Sequence, residues 1–108
     1  MGMDLVQDIY RLTALFPDSE KFGLASQMRR SAISIPSNIA EGTARSSDKE
    51  LLQFLYYSRG FISELDTQAE IAFRVGYFSD DDRDRLNQKI QDTGRMLSGF
   101  IRKVKQDS

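Results

Sequence analysis

Polar side chains recur at helical spacing in one stretch of the sequence, QMRRSAISIPSNIAEG. Steps of three and four residues place them on one face of a helix, beside an apolar stripe. A guanidinium, an amide and a carboxylate on one face can bind a ligand, or they can satisfy one another inside a helical bundle. The set consists of Gln27, Arg30, Ser34, Asn38 and Glu41.

A further carboxylate, Glu64, lies among apolar residues later in the chain, so we expect it to be partly buried and to need a partner. We favour a structural interpretation, an internal network in which Arg30 or Asn38 binds a carboxylate. The carboxylates available to it are Glu41 and Glu64. The catalytic alternative makes Glu41 and Glu64 an acid–base pair, or a metal site together with Asp66.

Two absences argue against that alternative. The chain of 108 residues contains no histidine and no cysteine. It therefore lacks the commonest general base, the commonest transition-metal ligand, thiolate nucleophiles and zinc–cysteine sites. The loop 42–47 lacks the GxxxxGK[ST] pattern of a nucleotide site. We predict a protein that is not an enzyme, with no catalytic residues, no metal and no cofactor.

Basic residues are unevenly distributed. The net charge is -1, yet residues 85–108 hold six basic and two acidic residues. One interpretation is solvated helix faces, with cations near a helix C-terminus where the dipole favours them. The other is a basic surface that becomes continuous when chains assemble and that contacts RNA or DNA. The phosphate contacts in that interpretation are Arg29, Arg45, Lys49, Arg59, Arg74, Arg102, Lys103 and Lys105.

These residues must be positioned by helices. Apolar residues recur every three or four positions in four segments, which we predict as helices. No segment alternates with a period of two, so no strand is expected. The length fits one domain, 1–108. Short connections favour an all-α, antiparallel up-down-up-down four-helix bundle. The predicted helices span about 3–16, 24–43, 47–75 and 80–105.

Local signals mark the helix ends and one distortion. Ser47 and Ser79 are predicted N-caps, and Gly76 is placed to end the third helix in a left-handed conformation. Gly42 suits the end of the second helix. Pro36 lacks an N–H and its ring crowds the preceding turn, so we expect the second helix to kink there. The alternative is two short helices broken just before Pro36.

Apolar surface exceeds what one bundle needs. The first predicted helix is about half as long as the third, and a second aromatic stripe runs along the third helix through Phe54, Tyr57 and Phe61. Exposed apolar strips of that size usually mark interfaces, which favours a homo-oligomer. No apolar run approaches the ~20 residues needed to span a bilayer. The N-terminus does not look like a secretory signal, so we expect a cytoplasmic protein without membrane contact.

Two long stretches resemble a known family. They are SQMRRSAISIPSNIAEGTAR and ELLQFLYYSRGFISELDTQAEIAFRVGYFS. The first carries the pattern Q-x-R-R-x-x-x-S-I-x-x-N-I-A-E-G. Both are similar to the four-helix-bundle family of proteins encoded in 23S rRNA intervening sequences, which includes the accessory variability protein of diversity-generating retroelements. The resemblance extends from about Ile9 to the C-terminus.

The resemblance implies an antiparallel four-helix bundle that assembles as a barrel-like homopentamer. For the retroelement branch it implies nucleic-acid binding through a basic surface and association with a reverse transcriptase. For the intervening-sequence branch it implies no particular activity. The sequence thus predicts an oligomeric module that binds RNA or DNA. The alternative is a structural or protein-interaction scaffold that binds no nucleic acid.

Overall fold

A computed structural model of the chain describes residues 1–107, and within them it contains α-helices and no strand. The all-α prediction is therefore confirmed. A short 3₁₀ turn at Asp18–Glu20 connects the first two helices. The four α-helices are α1 (Met3–Thr13), α2 (Leu24–Thr43), α3 (Asp48–Arg74) and α4 (Asp80–Asp107).

The helices form a four-helix bundle. α2 packs on α3, α3 packs on α4, and α1 packs against both α2 and α4. The bundle measures 46 × 24 × 18 Å. Its core is apolar and draws on all four helices; fully buried side chains include Leu5, Ile9, Met28, Ile35, Leu55, Leu65, Ile90 and Leu97. An ion pair between Lys89 Nζ and Asp8 Oδ2, 2.7 Å apart, also joins α4 to α1.

α1 ends earlier than predicted. Its last residue is Thr13, whereas the apolar periodicity extended it to Phe16. The Thr13 hydroxyl donates to the carbonyl of Ile9 at 2.6 Å, and the amides of Leu15 and Phe16 bond three residues back. Such tight bonds characterise a final 3₁₀-like turn. Phe16 still reaches the core, where its ring lies 5.0 Å from that of Tyr77.

α2 is one continuous helix with Pro36 inside it, so the alternative of two short helices is wrong. Its kink at Pro36 and the antiparallel order of the bundle stay predictions. Gly42 lies in the last turn of α2, which ends one residue later at Thr43, so its predicted place at the end of the helix is confirmed. A Cβ at Gly42 would lie 2.9 Å from Phe54 Cβ and 3.1 Å from Leu51 Cδ1. Gly42 therefore lets the first turns of α3 approach the end of α2.

The other end signals are confirmed. The Ser47 hydroxyl accepts from the amide of Glu50 at 3.2 Å, and the Ser79 hydroxyl accepts from that of Asp82 at 3.1 Å. Gly76 has a positive φ of 88°, a conformation that glycine adopts at little cost. These contacts fix where α3 begins, where it ends and where α4 begins, and so they set which faces of the two helices meet.

Candidate nucleic-acid interface

A recess of about 520 Å³ lies between α3 and α4. We name it the α3–α4 groove. Its apolar lining is formed by Ile62 and Ile90, and Gly94 adds a position without a side chain. The polar lining is Arg59, Ser63 and Asp66 from α3 with Gln91, Arg95, Ser98 and Arg102 from α4.

Helical spacing explains why these side chains share the groove. The α3 set follows steps of four and three, and the α4 set follows steps of four, three and four. Residues at such steps lie on one face. On α4 this face borders the buried stripe through Ile90 and Leu97, and on α3 it borders Ile62. The polar residues therefore stand at the rim where the two apolar stripes meet.

The groove concentrates positive charge that lacks a counterion. Arg59 and Arg102 have no carboxylate partner among residues 1–107. In contrast, seven basic side chains of this part of the chain form ion pairs: Arg11, Arg45, Arg74, Arg83, Arg85, Lys89 and Arg95. Asp66 is the one acidic residue in the described lining, against three arginines. The unpaired guanidinium groups favour an anionic ligand.

Tyr56 supports two cations at one end of the groove. The guanidinium of Arg59 lies 4.8 Å from the centre of its ring, and Nζ of Lys105 lies 5.5 Å from it. Cations over an aromatic face are attracted by its quadrupole. Lys105 follows Arg102 by three residues on α4, so it continues the basic row. The Tyr56 ring thus provides one aromatic contact for a cation from each of the two helices.

Hydrogen-bonding side chains of the groove are available to a ligand. Within residues 1–107, no side-chain hydrogen bond of Ser63, Gln91 or Ser98 is formed, whereas the nearby Gln88 amide donates to Asp92 at 2.9 Å. Arg95 is ion-paired with the same Asp92. The groove thus combines free donors with free charge, a combination that suits phosphate oxygens.

Three of the predicted phosphate contacts have other roles in the chain. Arg29 Nε donates to Thr13 Oγ1 at 2.8 Å, and its guanidinium lies 4.9 Å from the Tyr10 ring, so it fastens α2 to α1. Arg45 pairs with Glu41 and lies over a phenylalanine ring. Arg74 Nε lies 2.9 Å from Glu70 Oε1. Each of these charges already has a neighbour that neutralises or orients it.

The remaining predicted cations divide between the groove and the surface. Arg59 and Arg102 line the groove, and Lys105 lies beside it on the Tyr56 ring. Lys49 and Lys103 are exposed and do not line the groove. Arg95 was not among the phosphate contacts predicted from the sequence. It precedes Arg102 by seven residues, which is two helical turns. That spacing was the signal that could have found it.

The predicted polar network takes a different form. Glu64 is exposed, although it was expected to be partly buried. Gln27, Arg30 and Glu41 are exposed as well. Glu41 pairs with Arg45 one turn later. The expected side-chain network is thus replaced by local bonds, because the polar face of α2 points outward.

Two of those local bonds stay within α2. The Ser34 hydroxyl donates to the Arg30 carbonyl at 2.8 Å, and the Asn38 amide donates to the Ser34 carbonyl at 2.7 Å. A third polar contact near Pro36 was missed by the sequence pattern. The hydroxyl of Ser58, fully buried on α3, donates to the Ile35 carbonyl at 2.8 Å. The polar bond that crosses from α3 to α2 here therefore uses a serine and a backbone carbonyl.

The described residues contain neither a metal-binding cluster nor a membrane-spanning helix. Across residues 1–107 there is no cluster of three or more histidine, cysteine, aspartate or glutamate residues able to hold a metal ion. None of the helices in that range has the length and apolar character needed to cross a bilayer.

The fold and the groove define a small four-helix-bundle protein with a basic recess between its two longest helices. The sequence model of the family described as 23S rRNA-intervening sequence protein matches residues 1–99, and the chain belongs to this family. The match begins before Ile9, where the resemblance was expected to start, and it ends at residue 99, before the C-terminus to which the resemblance was expected to extend. Curated proteins provide no significant match to this chain.

A solved structure has the same fold. It is a protein with unknown function from the S23 ribosomal protein family of Bacteroides thetaiotaomicron VPI-5482. It superimposes with a TM-score of 0.85 at 21% sequence identity, over 93% of this chain and 94% of that chain. The bundle architecture is therefore retained at low sequence identity.

Proposed function

We propose that this protein is a non-enzymatic binding module that contacts the phosphate backbone of RNA or DNA through the α3–α4 groove. The observation that carries the proposal is the pair Arg59 and Arg102, which face one recess without a carboxylate partner among the described residues. Unpaired guanidinium groups bind phosphate strongly and bidentately.

Assembly would strengthen this weak local site. One groove offers few charges, and the whole chain has a net charge of -1. Several copies in one homo-oligomer, with a pentamer favoured, would present repeated grooves to one strand and raise the affinity through multivalency. In this proposal the protein works in the cytoplasm, without a cofactor or membrane contact.

A scaffold function is the second candidate, and exposed apolar side chains favour it. Phe22 is 90% exposed and Leu15 is 75% exposed, both in the connection between α1 and α2. Large apolar side chains in that state support contact with another protein, such as a reverse transcriptase or a further copy of the chain. Under this function the groove would bind no nucleic acid.

A salt titration separates the two functions. Fluorescence anisotropy with a labelled oligonucleotide should show binding that weakens steeply as salt rises, because phosphate contacts release counterions. The double variant Arg59→Ala/Arg102→Ala should lose this binding. Arg74→Ala removes one exposed, ion-paired arginine outside the groove and should keep it. Affinity that does not change with salt, or an equal loss in all variants, would exclude the groove as the phosphate site.

A further inference from the structure

We infer that the α3–α4 groove takes a single strand of nucleic acid and excludes a duplex. This inference rests on the proposed function and specifies its ligand. It starts from where the charges lie: Arg59 stands on α3, and Arg95 and Arg102 stand on α4, so the cations line both sides of a recess. Proteins that bind single strands use a positively charged groove that tracks the backbone.

Direct readout of a duplex in its major groove uses a protruding element. Readers of B-DNA insert a protruding helix or ribbon into the major groove, and a duplex carries its phosphates on its outer surface. Here the free guanidinium groups border a recess of about 520 Å³ with a partly apolar lining. A single strand can enter this recess and contact Arg59 on one side and the arginines of α4 on the other. A duplex would contact the cations on only one side of the recess.

The dimensions of the basic row fit a short stretch of strand. Arg95 and Lys105 are ten residue steps apart on α4, about 15 Å at 1.5 Å per step. Arg59 approaches the same row from α3, and both Arg59 and Lys105 contact the Tyr56 ring. Arg59 and Arg102, which have no carboxylate partner among residues 1–107, predict a slope of log affinity against log salt of about -1 to -2 when both contact single-strand phosphates.

Gly94 provides a steric test that leaves charge unchanged. It lines the groove, and a Cβ built on it meets no atom within 4 Å. Gly94→Leu should therefore fit the fold while its side chain occupies the recess. Gly60 is the matched control, because it is an exposed helical glycine with no atom within 4 Å of its Cβ position and it lies outside the groove lining.

The experiment measures anisotropy of labelled oligo-dT, oligo-rU and a hairpin duplex against the full chain. We expect both single strands to bind at least about tenfold more tightly than the hairpin. Gly94→Leu should lower single-strand affinity at least about tenfold, and Gly60→Leu should change it less than about twofold. Melting curves of both variants confirm that they fold.

The outcomes separate the inference from the function on which it rests. Equal affinity for the hairpin and the single strands overturns the single-strand inference and leaves the proposed function standing. Unchanged single-strand binding by folded Gly94→Leu overturns the entry of a strand into the recess, and the loss or retention of binding by Arg59→Ala/Arg102→Ala then decides the proposed function. Binding to neither ligand overturns both. A preference for oligo-rU or oligo-dT within the expected pattern supports the inference.

Discussion

The hydroxyl of Ser58 donates a 2.8 Å hydrogen bond to the carbonyl oxygen of Ile35, and the bond crosses from α3 to α2 inside the core. It lies one residue before Pro36, whose missing N–H interrupts the backbone bonding of α2. The side chain of Ser58 is completely buried. A polar bond of this kind is directional, so it fixes the register of the two helices where apolar packing alone would tolerate a shift.

Removing that hydroxyl should destabilise the bundle. We expect Ser58→Ala to lower the free energy of unfolding by about 0.5–1.5 kcal/mol, the usual net value of one intramolecular hydrogen bond. Urea unfolding followed by circular dichroism measures the change. Ser63→Ala on the same helix is the control, since Ser63 is exposed and should change stability by less than ~0.5 kcal/mol. Equal midpoints for the two variants would contradict a structural role for the bond.

The glycines of the helices should respond in opposite directions to alanine. At Gly42 a Cβ would meet Phe54 Cβ at 2.9 Å and the Leu51 carbonyl oxygen at 3.3 Å. Gly42→Ala should therefore cost about 1–3 kcal/mol through overpacking, despite the higher helix propensity of alanine.

At Gly60 a Cβ meets nothing within 4 Å. Gly60→Ala should therefore stabilise the protein by about 0.5–1 kcal/mol, because it restricts the unfolded chain and favours the helix. Thermal melts of the two single variants give the comparison. Stabilisation by Gly42→Ala would show that α2 and α3 can separate at this point without loss.

Arg29 should act on stability and not on ligand binding. It donates to Thr13 Oγ1 and lies over the Tyr10 ring. Arg29→Ala should lower the free energy of unfolding by about 1–2 kcal/mol through the lost bond and the lost ring contact. Its affinity for oligonucleotides should match that of the parent chain at a temperature where both are folded. If Arg29→Ala weakened oligonucleotide binding as much as Arg102→Ala, Arg29 would belong to the nucleic-acid interface after all.

Tyr77 should make stability fall in alkaline solution. Its hydroxyl donates to Glu20 Oε2 at 2.9 Å, and this bond, with desolvation and the carboxylate charge, raises the pKa of Tyr77 above its usual 10.0. The folded protein then holds the phenolic proton more tightly than the unfolded chain. The stability that the bond contributes is complete below pH about 10 and declines as the pH rises through the folded pKa.

Urea midpoints across that pH range test the effect. The parent should lose stability above pH about 10 more steeply than Tyr77→Phe, which has no phenolic proton at this position. Tyr57→Phe is the control, because the Tyr57 hydroxyl accepts from the amide of Gln53 and forms no hydrogen bond with a carboxylate of residues 1–107. Parallel pH profiles for the parent and Tyr77→Phe would rule out this linkage.

Sequence patterns predicted the bounds of the helices well where those bounds depend on neighbouring residues. Apolar periodicity placed α2 at its observed bounds, and serine caps marked where α3 and α4 begin. The end of α1 was placed too late, because the side chain of Thr13 returns to its own backbone and the chain tightens there. Periodicity carries no information about such a bond, since Phe16 remains apolar and buried outside the helix.

The α3–α4 groove could not be predicted from local sequence patterns, because two helices that are distant in the sequence form it. Each arginine pattern on α3 or α4 also describes a solvated helix face, and only packing decides that Arg59 and Arg102 border one recess. The same reasoning applies to Gly42, whose local context fits a helix end while its actual constraint comes from Phe54. Arg29 was assigned to phosphate because an arginine pattern does not reveal the Thr13 hydroxyl that folding brings beside it. Arg45 is different, because its partner Glu41 lies one helical turn earlier and the i,i+4 spacing could have indicated the pair.

α4 begins with three consecutive aspartates, Asp80 to Asp82, and its last turns carry Arg102, Lys103 and Lys105. The sign of the charge therefore changes along α4, from its acidic first turn to its basic last turns. The basic end would be attracted toward a polyanion such as a nucleic-acid strand. This attraction would weaken at high ionic strength.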